Sequence, residues 1–276
     1  MTSNDASLAV GSDRPQALRR ARAGIFRREL SPGAARLGII VAAIVVWEIS
    51  ARLFGDPLFV APPSLVVFSL GKLFGTAGIP HALSMTAIAL GSAFVLSVLF
   101  GVVLGVTLGL SRFAHRSFMP IVLLLYATPQ ATIIPIFMMV FGIGLASKIA
   151  YGFSHGIFPI IVTVAAGVQN IKPILLTSSR SMGATRWQIF QHVVFPHMIP
   201  SLFSGMRLGM TATLLGVILA ELYASTTGVG YFSQQFATNF QPPLLYGLIF
   251  VVAAIAVLIN EALRRAEARL TRWRRA

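Results

Sequence analysis

The chain of 276 residues contains no cysteine, and charged residues make up only 11% of it. Without cysteine, disulfide bonds and thiolate-ligated metal sites are excluded, and the sequence carries no signature of a redox compartment. Hydrophobic residues make up 56%, and the mean hydropathy is +0.80. A water-soluble domain of this composition would lack the polar surface needed to cover itself. We therefore expect the chain to be surrounded largely by lipid.

Motifs for catalysis, metal binding and nucleotide binding are missing as well. Gly71-Lys72 is followed by Leu73, and no glycine stands five residues before Gly71, so this is not a phosphate-binding loop. The apolar segments contain no paired carboxylates, clustered histidines or activated nucleophile of a membrane-embedded enzyme. No metal-ligand cluster arises from the five histidines, His81, His115, His155, His192 and His197. We therefore assign no catalytic residue, metal or cofactor, and any ATP hydrolysis falls to a partner chain.

Six hydrophobic stretches approach the roughly 20 residues that a helix needs to cross the hydrocarbon layer. They lie at residues 37–54, 83–110, 120–141, 148–168, 199–223 and 244–263. We predict an all-α membrane protein with one six-helix domain at 37–263, a basic N-terminal extension at 1–36 and a basic tail at 264–276. Pro129 and Pro135 are expected to kink the third span.

Lysine and arginine are unevenly distributed across this six-span arrangement. Of the 22, 19 fall on the side of the two termini and the even-numbered loops, all except Arg52, Lys72 and Lys148. The positive-inside rule predicts that this side is cytoplasmic in an inner membrane. Topology explains the net charge of +14 better than nucleic-acid binding does, because the basic residues lie beside hydrophobic spans.

Two local sequence features lie near the outer end of the first span. Glu48 lies one helical turn before Arg52, a spacing that favours an ion pair. Ala61-Pro62-Pro63-Ser64 begins an amphipathic stretch that runs to Phe74. We expect this stretch to be a helix on the outer face, lying along the membrane interface.

The longest inner loop, between the fourth and fifth spans, encodes two short helices joined at a glycine. Pro173 suits the first position of a helix, and Gly183 suits the left-handed residue that ends one. Thr185, with Gln188 three residues later, matches a capping box, and Pro196 is expected to end the second helix.

One face of the second helix is predicted to be apolar. Trp187, Phe190 and Val194 share it through their spacing of three and four residues. From these patterns alone, an interfacial connector packed under its own bundle and a docking surface for a partner are about equally favoured.

This loop is similar to the cytoplasmic EAA loop of binding-protein-dependent ABC permeases, in which a Glu-Ala-Ala triplet precedes a glycine and, further on, Ile-x-Leu-Pro. Gly183 takes the place of the glycine, and Val193, Phe195 and Pro196 take those of the later residues. The triplet is replaced by Thr177-Ser178-Ser179. The spacing is therefore kept, whereas the acidic residue is missing.

Three further pieces resemble the nitrate, sulfonate and taurine importer branch of these permeases. They are Ala61–Ser64, Phe141–Gly144 with Ser147-Lys148, and Ala220-Glu221-Leu222 ahead of Gly228–Tyr231. The resemblance spans residues 60–270. It implies a type I ABC importer permease fold, and a homodimer in the lipid bilayer with two ATPase subunits and a periplasmic substrate-binding protein. The implied cargo is a sulfonate, taurine, nitrate or a related organic anion, moved by alternating access.

The resemblance also implies which residues contact the ATPases and where the cargo differs. Such permeases often carry Arg-Pro-Ile-Pro-Pro before the core of the third span, whereas residues 126–132 read Tyr-Ala-Thr-Pro-Gln-Ala-Thr. This departure bears on the identity of the cargo. The residues expected to couple to the ATPase are Thr177, Ser178, Ser179, Arg180, Gly183, Ala184, Arg186, Trp187, Phe190 and Pro196.

Polar residues within the spans are candidates for the substrate pathway. Glu221 lies near the outer end of the fifth span, where a hydrated vestibule would relieve the cost of burying a carboxylate. A hydrogen-bonded or interfacial acid is the alternative. Tyr126, Thr128 and Gln130 lie near the proline kink and are expected to line a cavity, with hydrogen bonding between helices as the alternative.

Small residues at intervals of four indicate closely packed helices. Packing within the bundle is the expected role, and a dimer seam is the alternative. The glycines concerned are Gly101, Gly105 and Gly109 in the second span and Gly205 and Gly209 in the fifth.

A self-contained secondary transporter or channel is the alternative function. It would be expected to show inverted repeats or charged residues at mid-membrane, and the sequence contains no convincing repeat. Neighbouring genes for an ATPase and a secreted binding protein would favour the importer.

Overall fold

The computed structural model describes residues 32–223 and 225–271, and it divides into two units, one ending at Leu53 and one starting at Phe54. The described residues form helices and connecting turns without strands, so the all-α prediction is confirmed. The helices are α1 (Pro32–Leu53), α2 (Pro63–Gly75), α3 (Ile79–Leu110), α4 (Arg112–Ala127), α5 (Ile134–Phe141), α6 (Leu145–Gln169), α7 (Pro173–Ser181), α8 (Arg186–Tyr223), α9 (Val229–Thr238) and α10 (Pro242–Leu270).

The predicted terminal segments lie largely outside the described residues. The extension of residues 1–36 is described only from Pro32, and the tail of 264–276 only to residue 271. Both predicted boundaries fall within helices, since α1 begins before residue 36 and α10 continues past residue 264.

Five of the described helices, α1, α3, α6, α8 and α10, are long and apolar enough to cross a membrane. Helix α4 and the segment Gln130–Phe141 are together long and apolar enough as well but are bent by 82°, so the number of candidate spans is six if this pair is counted as one broken span. The break lies at Thr128, which is extended (φ −65°, ψ 135°) because a following proline disfavours the helical conformation. Pro135 does not add a second kink, since it lies in the first turn of α5, where a missing N–H is tolerated.

Helix α6 lies between α3 and α8, and glycines allow the close approach on both sides. A Cβ atom at Gly105 would lie 2.8 Å from Val164 Cβ, and one at Gly209 would lie 2.6 Å from Ile160 Cγ1. The glycine faces of α3 and α8 are therefore occupied by α6 of the same chain. Packing within the bundle is confirmed for these glycines, and the dimer-seam alternative does not fit.

The helix predicted before the second span is confirmed as α2, which begins at Pro63. Its buried face packs on α10: Ser69 Oγ donates to Pro243 O at 2.7 Å, and Leu73 packs in one cluster with Leu248. In the first unit, Arg52 Nε donates to Glu48 Oε1 at 2.5 Å, so the predicted ion pair is also confirmed.

The second helix of the inner loop does not end at Pro196, contrary to the prediction. It begins at Arg186 and continues to Tyr223 as one helix of 38 residues. A π-helical turn at Phe190–Val194 precedes the proline, and the Phe195 N–H donates to Phe190 O. We attribute the continuity to this wider turn, which accommodates a ring that would otherwise clash with the preceding carbonyl.

Candidate functional site

The inner loop has the backbone geometry that its sequence predicts. Helix α7 begins at Pro173, and Gly183 adopts φ +81°. Gln188 N–H donates to Thr185 Oγ1 at 3.3 Å, while Thr185 N–H donates to Gln188 Oε1 at 2.8 Å, which completes the capping box. Gly183 therefore sets the angle between α7 and a well-capped α8.

The start of α8 is anchored on one side and exposed on the other. Ile189 and Val194 are buried in a cluster with Ile160 of α6. Trp187 is 68% exposed, and its ring stacks on that of Phe190 at 5.6 Å between centroids. The predicted shared face is thus divided, with Val194 directed inward and Trp187 outward.

The exposed apolar surface of this loop also includes Ile174 and Met182, the latter 86% exposed. Beside it, a cavity of about 660 Å³ is lined by Arg180, Ala184, Arg186 and Phe190, among others. Apolar groups rimmed by cations are typical of a surface that binds another protein. Four of the ten predicted coupling residues therefore line this cavity.

The Thr177-Ser178-Ser179 segment lies on α7, with Thr177 and Ser178 exposed. Ser179 Oγ donates to Leu175 O at 2.8 Å, so its hydroxyl is used within its own helix. Pro196 lies after the π turn, inside α8 rather than on the exposed surface formed by Trp187.

Glu221, at the far end of α8, is fully buried. Lys148 Nζ lies 3.2 Å from Glu221 Oε1, and both side chains are almost inaccessible. Thr86 Oγ1 donates to the same carboxylate at 2.8 Å, and Gly230 N–H donates to Oε2 at 3.0 Å. A packed, paired environment replaces the expected hydrated vestibule, and this geometry fits the alternative of a hydrogen-bonded structural acid.

The Glu221 network joins α3, α6, α8 and the start of α9. Lys148 Nζ also donates to Thr227 O at 2.5 Å, and Val229 N–H donates to Thr86 Oγ1 at 3.0 Å. Gly228 has φ +116°, and a Cβ there would overlap the Glu221 carboxylate. Lys148 was not predicted as the partner of Glu221; the signal for it was an opposite charge near the end of a neighbouring span.

The residues at the break in the third span are only partly buried. Tyr126 and Thr128 are exposed, whereas Gln130 Nε2 donates to Ser154 O of α6 at 3.4 Å. Gln130 Oε1 is buried and has no hydrogen-bond partner among the described residues. No hydrogen bond among the described residues joins Glu221 to these three residues.

Comparison with known families identifies the architecture. The family model described as the inner membrane component of binding-protein-dependent transport systems matches residues 97–275. The chain belongs to this family. Within it, the taurine transport system permease protein TauC of Escherichia coli (strain K12) is 31% identical over 245 residues, which cover 86% of this chain and 88% of that protein.

Two further relatives of this permease bear on fold and cargo. The formylaminopyrimidine transport permease protein ThiX of Halalkalibacterium halodurans is 28% identical over 84% of this chain and 92% of that protein. A subunit of the inward-facing MetNI methionine ABC transporter is similar with a TM-score of 0.63 at 20% identity, over 70% of this chain and 96% of that one. This likeness shows the fold of type I ABC importer permeases. The protein is thus a multi-pass ABC importer permease for small solutes, and not an enzyme.

Proposed function

We propose that this permease moves a small solute, namely a sulfonate, taurine, nitrate or a related organic anion, from the periplasm to the cytoplasm. It works by alternating access as a homodimer with two ATPase subunits and a periplasmic binding protein. The taurine permease relative supports the sulfonate class. The ThiX relative shows that cargo varies among similar permeases, so the cargo needs its own test.

The observation that carries the mechanism is the continuity of α8. Its first turns present Trp187 to the exterior, and its last turn holds Glu221 in the buried network. At 1.5 Å per residue, 38 residues span about 57 Å. Movement of an ATPase against residues 173–195 would therefore be transmitted along one helix to its outer end. Contacts that differ between the two states of alternating access would couple this movement to transport.

Uptake into proteoliposomes tests this function. The permease is reconstituted with its ATPase and a binding protein from the same organism, and labelled taurine is supplied. We expect uptake that requires ATP and the binding protein. Uptake without ATP would favour the secondary transporter or channel, and ATP-dependent uptake of other solutes with no competition by sulfonates would contradict the cargo class.

We propose that Tyr126, Thr128 and Gln130 line the translocation route. The break frees backbone carbonyls, and the buried Oε1 of Gln130, which has no hydrogen-bond partner among the described residues, is an acceptor that a solute would satisfy when the route opens. Gln130→Leu should raise the KM for uptake roughly tenfold, the effect of losing one buried hydrogen bond. Thr107→Val is the control, since that exposed hydroxyl bonds only to Leu104 O of its own helix. Equal KM values in the two variants would contradict the assignment.

We propose that both termini and residues 170–196 are cytoplasmic. The absence of cysteine makes single-cysteine probes unambiguous. Ser181→Cys, at the end of α7, should be protected from a membrane-impermeant maleimide in intact cells, while Ala77→Cys, between α2 and α3, should be labelled. Both positions are exposed. The reverse labelling pattern would place residues 170–196 on the periplasmic side and would contradict the proposed topology.

A further inference from the structure

A basic cavity lies where α3 ends, α4 begins and α6 meets α7. It has a volume of about 430 Å³. Its polar lining consists of Arg112, His115 and Arg116 from the first turns of α4, with Gln169 from the end of α6. No aspartate or glutamate of the described chain lines this cavity, so two positive charges face it without an opposing charge.

The polar groups of this lining lack partners within the described part of the chain. Neither Arg112 nor Arg116 forms a salt bridge there, in contrast to Arg52, Arg207, Arg264 and Arg265, which are all paired with glutamates. His115 Nδ1 is buried and has no hydrogen-bond partner there. Because this nitrogen has no accessible surface, the open polar surface of the cavity is provided mainly by Arg112 and Arg116, which are both exposed.

The apolar part of the lining shows which kind of ligand fits. Leu110, Val168 and Leu176 line the cavity beside the charged groups. Just outside it, Phe113 is 80% exposed on a spanning segment, and Leu110 is itself 54% exposed. The cavity is therefore cationic on one side and continuous with a lipid-facing surface on the other.

We propose that this cavity binds the phosphate of an anionic phospholipid such as phosphatidylglycerol. The two guanidinium groups match phosphate oxygens in a bidentate arrangement, and the acyl chains lie along the exposed apolar side chains. A free phosphate ion shares the polar chemistry but would leave the apolar lining unused. Because Pro173 and Leu176 also line the cavity, the bound lipid contacts the start of α7. The inference does not depend on the cargo or on the direction of transport.

Native mass spectrometry of the full-length permease, titrated with phosphatidylglycerol or phosphatidylcholine, tests the proposal. The Arg112→Gln/Arg116→Gln variant is compared with Arg264→Gln/Arg265→Gln, which loses the same charge outside the cavity. For two arginines near an anionic headgroup, we expect the first variant to bind phosphatidylglycerol about thirtyfold more weakly. The control should bind as the wild type does, and phosphatidylcholine should bind weakly to all three.

Thermal unfolding distinguishes a bound lipid from a free phosphate ion and from general charge attraction. Stabilisation by phosphatidylglycerol should be lost in Arg112→Gln/Arg116→Gln, while inorganic phosphate should stabilise none of the proteins. Equal losses in the two double variants would show general charge attraction and overturn the site. Arginine-dependent stabilisation by inorganic phosphate without any by the lipid would overturn the lipid as the ligand.

Discussion

Lys148→Met should destabilise the permease by about 3–5 kcal/mol, because it leaves the Glu221 carboxylate buried without its counter-charge. Glu221→Gln should have a comparable effect, since it leaves the Lys148 ammonium uncompensated. The expected result is a large drop in the detergent unfolding temperature and in the amount of protein in the membrane. Fluorescence-detected size-exclusion chromatography after heating measures both.

The double variant Lys148→Met/Glu221→Gln shows whether the loss of stability in the single variants arises from the remaining unpaired charge. Removing both charges together should recover much of the lost stability, because the penalty arises from the unpaired charge rather than from absence of the pair. Arg52→Gln is the control, since it breaks an exposed pair with Glu48 and should cost at most about 1 kcal/mol. Single variants as stable as this control, or a double variant with additive losses, would contradict a paired, buried network.

Gly183→Val should weaken ATPase coupling severalfold while the permease still inserts in the membrane. Gly183 adopts φ +81°, and no atom of the described residues lies within 4 Å of the position of a Cβ there, so the cost is backbone strain on the order of 1–2 kcal/mol rather than a clash. Relief of the strain would reorient α7 and Met182 relative to Trp187 on α8. In nanodiscs, co-purification of the ATPase and substrate-stimulated phosphate release should both fall severalfold.

Gly71→Val is the matched control for this substitution. Gly71 lies in α2, has equally open space around it, and has no positive φ. It should retain ATPase association and turnover. If Gly183→Val behaves like the control, the geometry at Gly183 is not required for coupling, and residues 173–195 act only as a connector.

Local signals explain most of what the sequence predicts correctly. The spans follow from long apolar runs, and Gly183, Pro173 and the Thr185–Gln188 capping box depend on neighbours within a few residues. The break at Pro129 is also a local effect, because a proline restricts the residue before it.

The sequence is less informative where the outcome depends on contacts distant in the chain. Lys148 and Glu221 are 73 residues apart, and neither side chain indicates its partner until α6 and α8 are packed. Continuation of α8 through Pro196 requires the π turn, which has no simple sequence signature. The contact at Gly156, where an added Cβ would overlap Thr213 of α8, is likewise visible only after packing.

Site-specific photocrosslinking tests most directly whether the 173–195 loop receives the movement of an ATPase. A benzophenone amino acid replaces Trp187, or Phe68 as the control; Phe68 is 81% exposed and lies on α2. In the assembled complex, the group at position 187 should crosslink to the ATPase, and the group at position 68 should not. An assembled complex with no ATPase crosslink from position 187 would contradict the account.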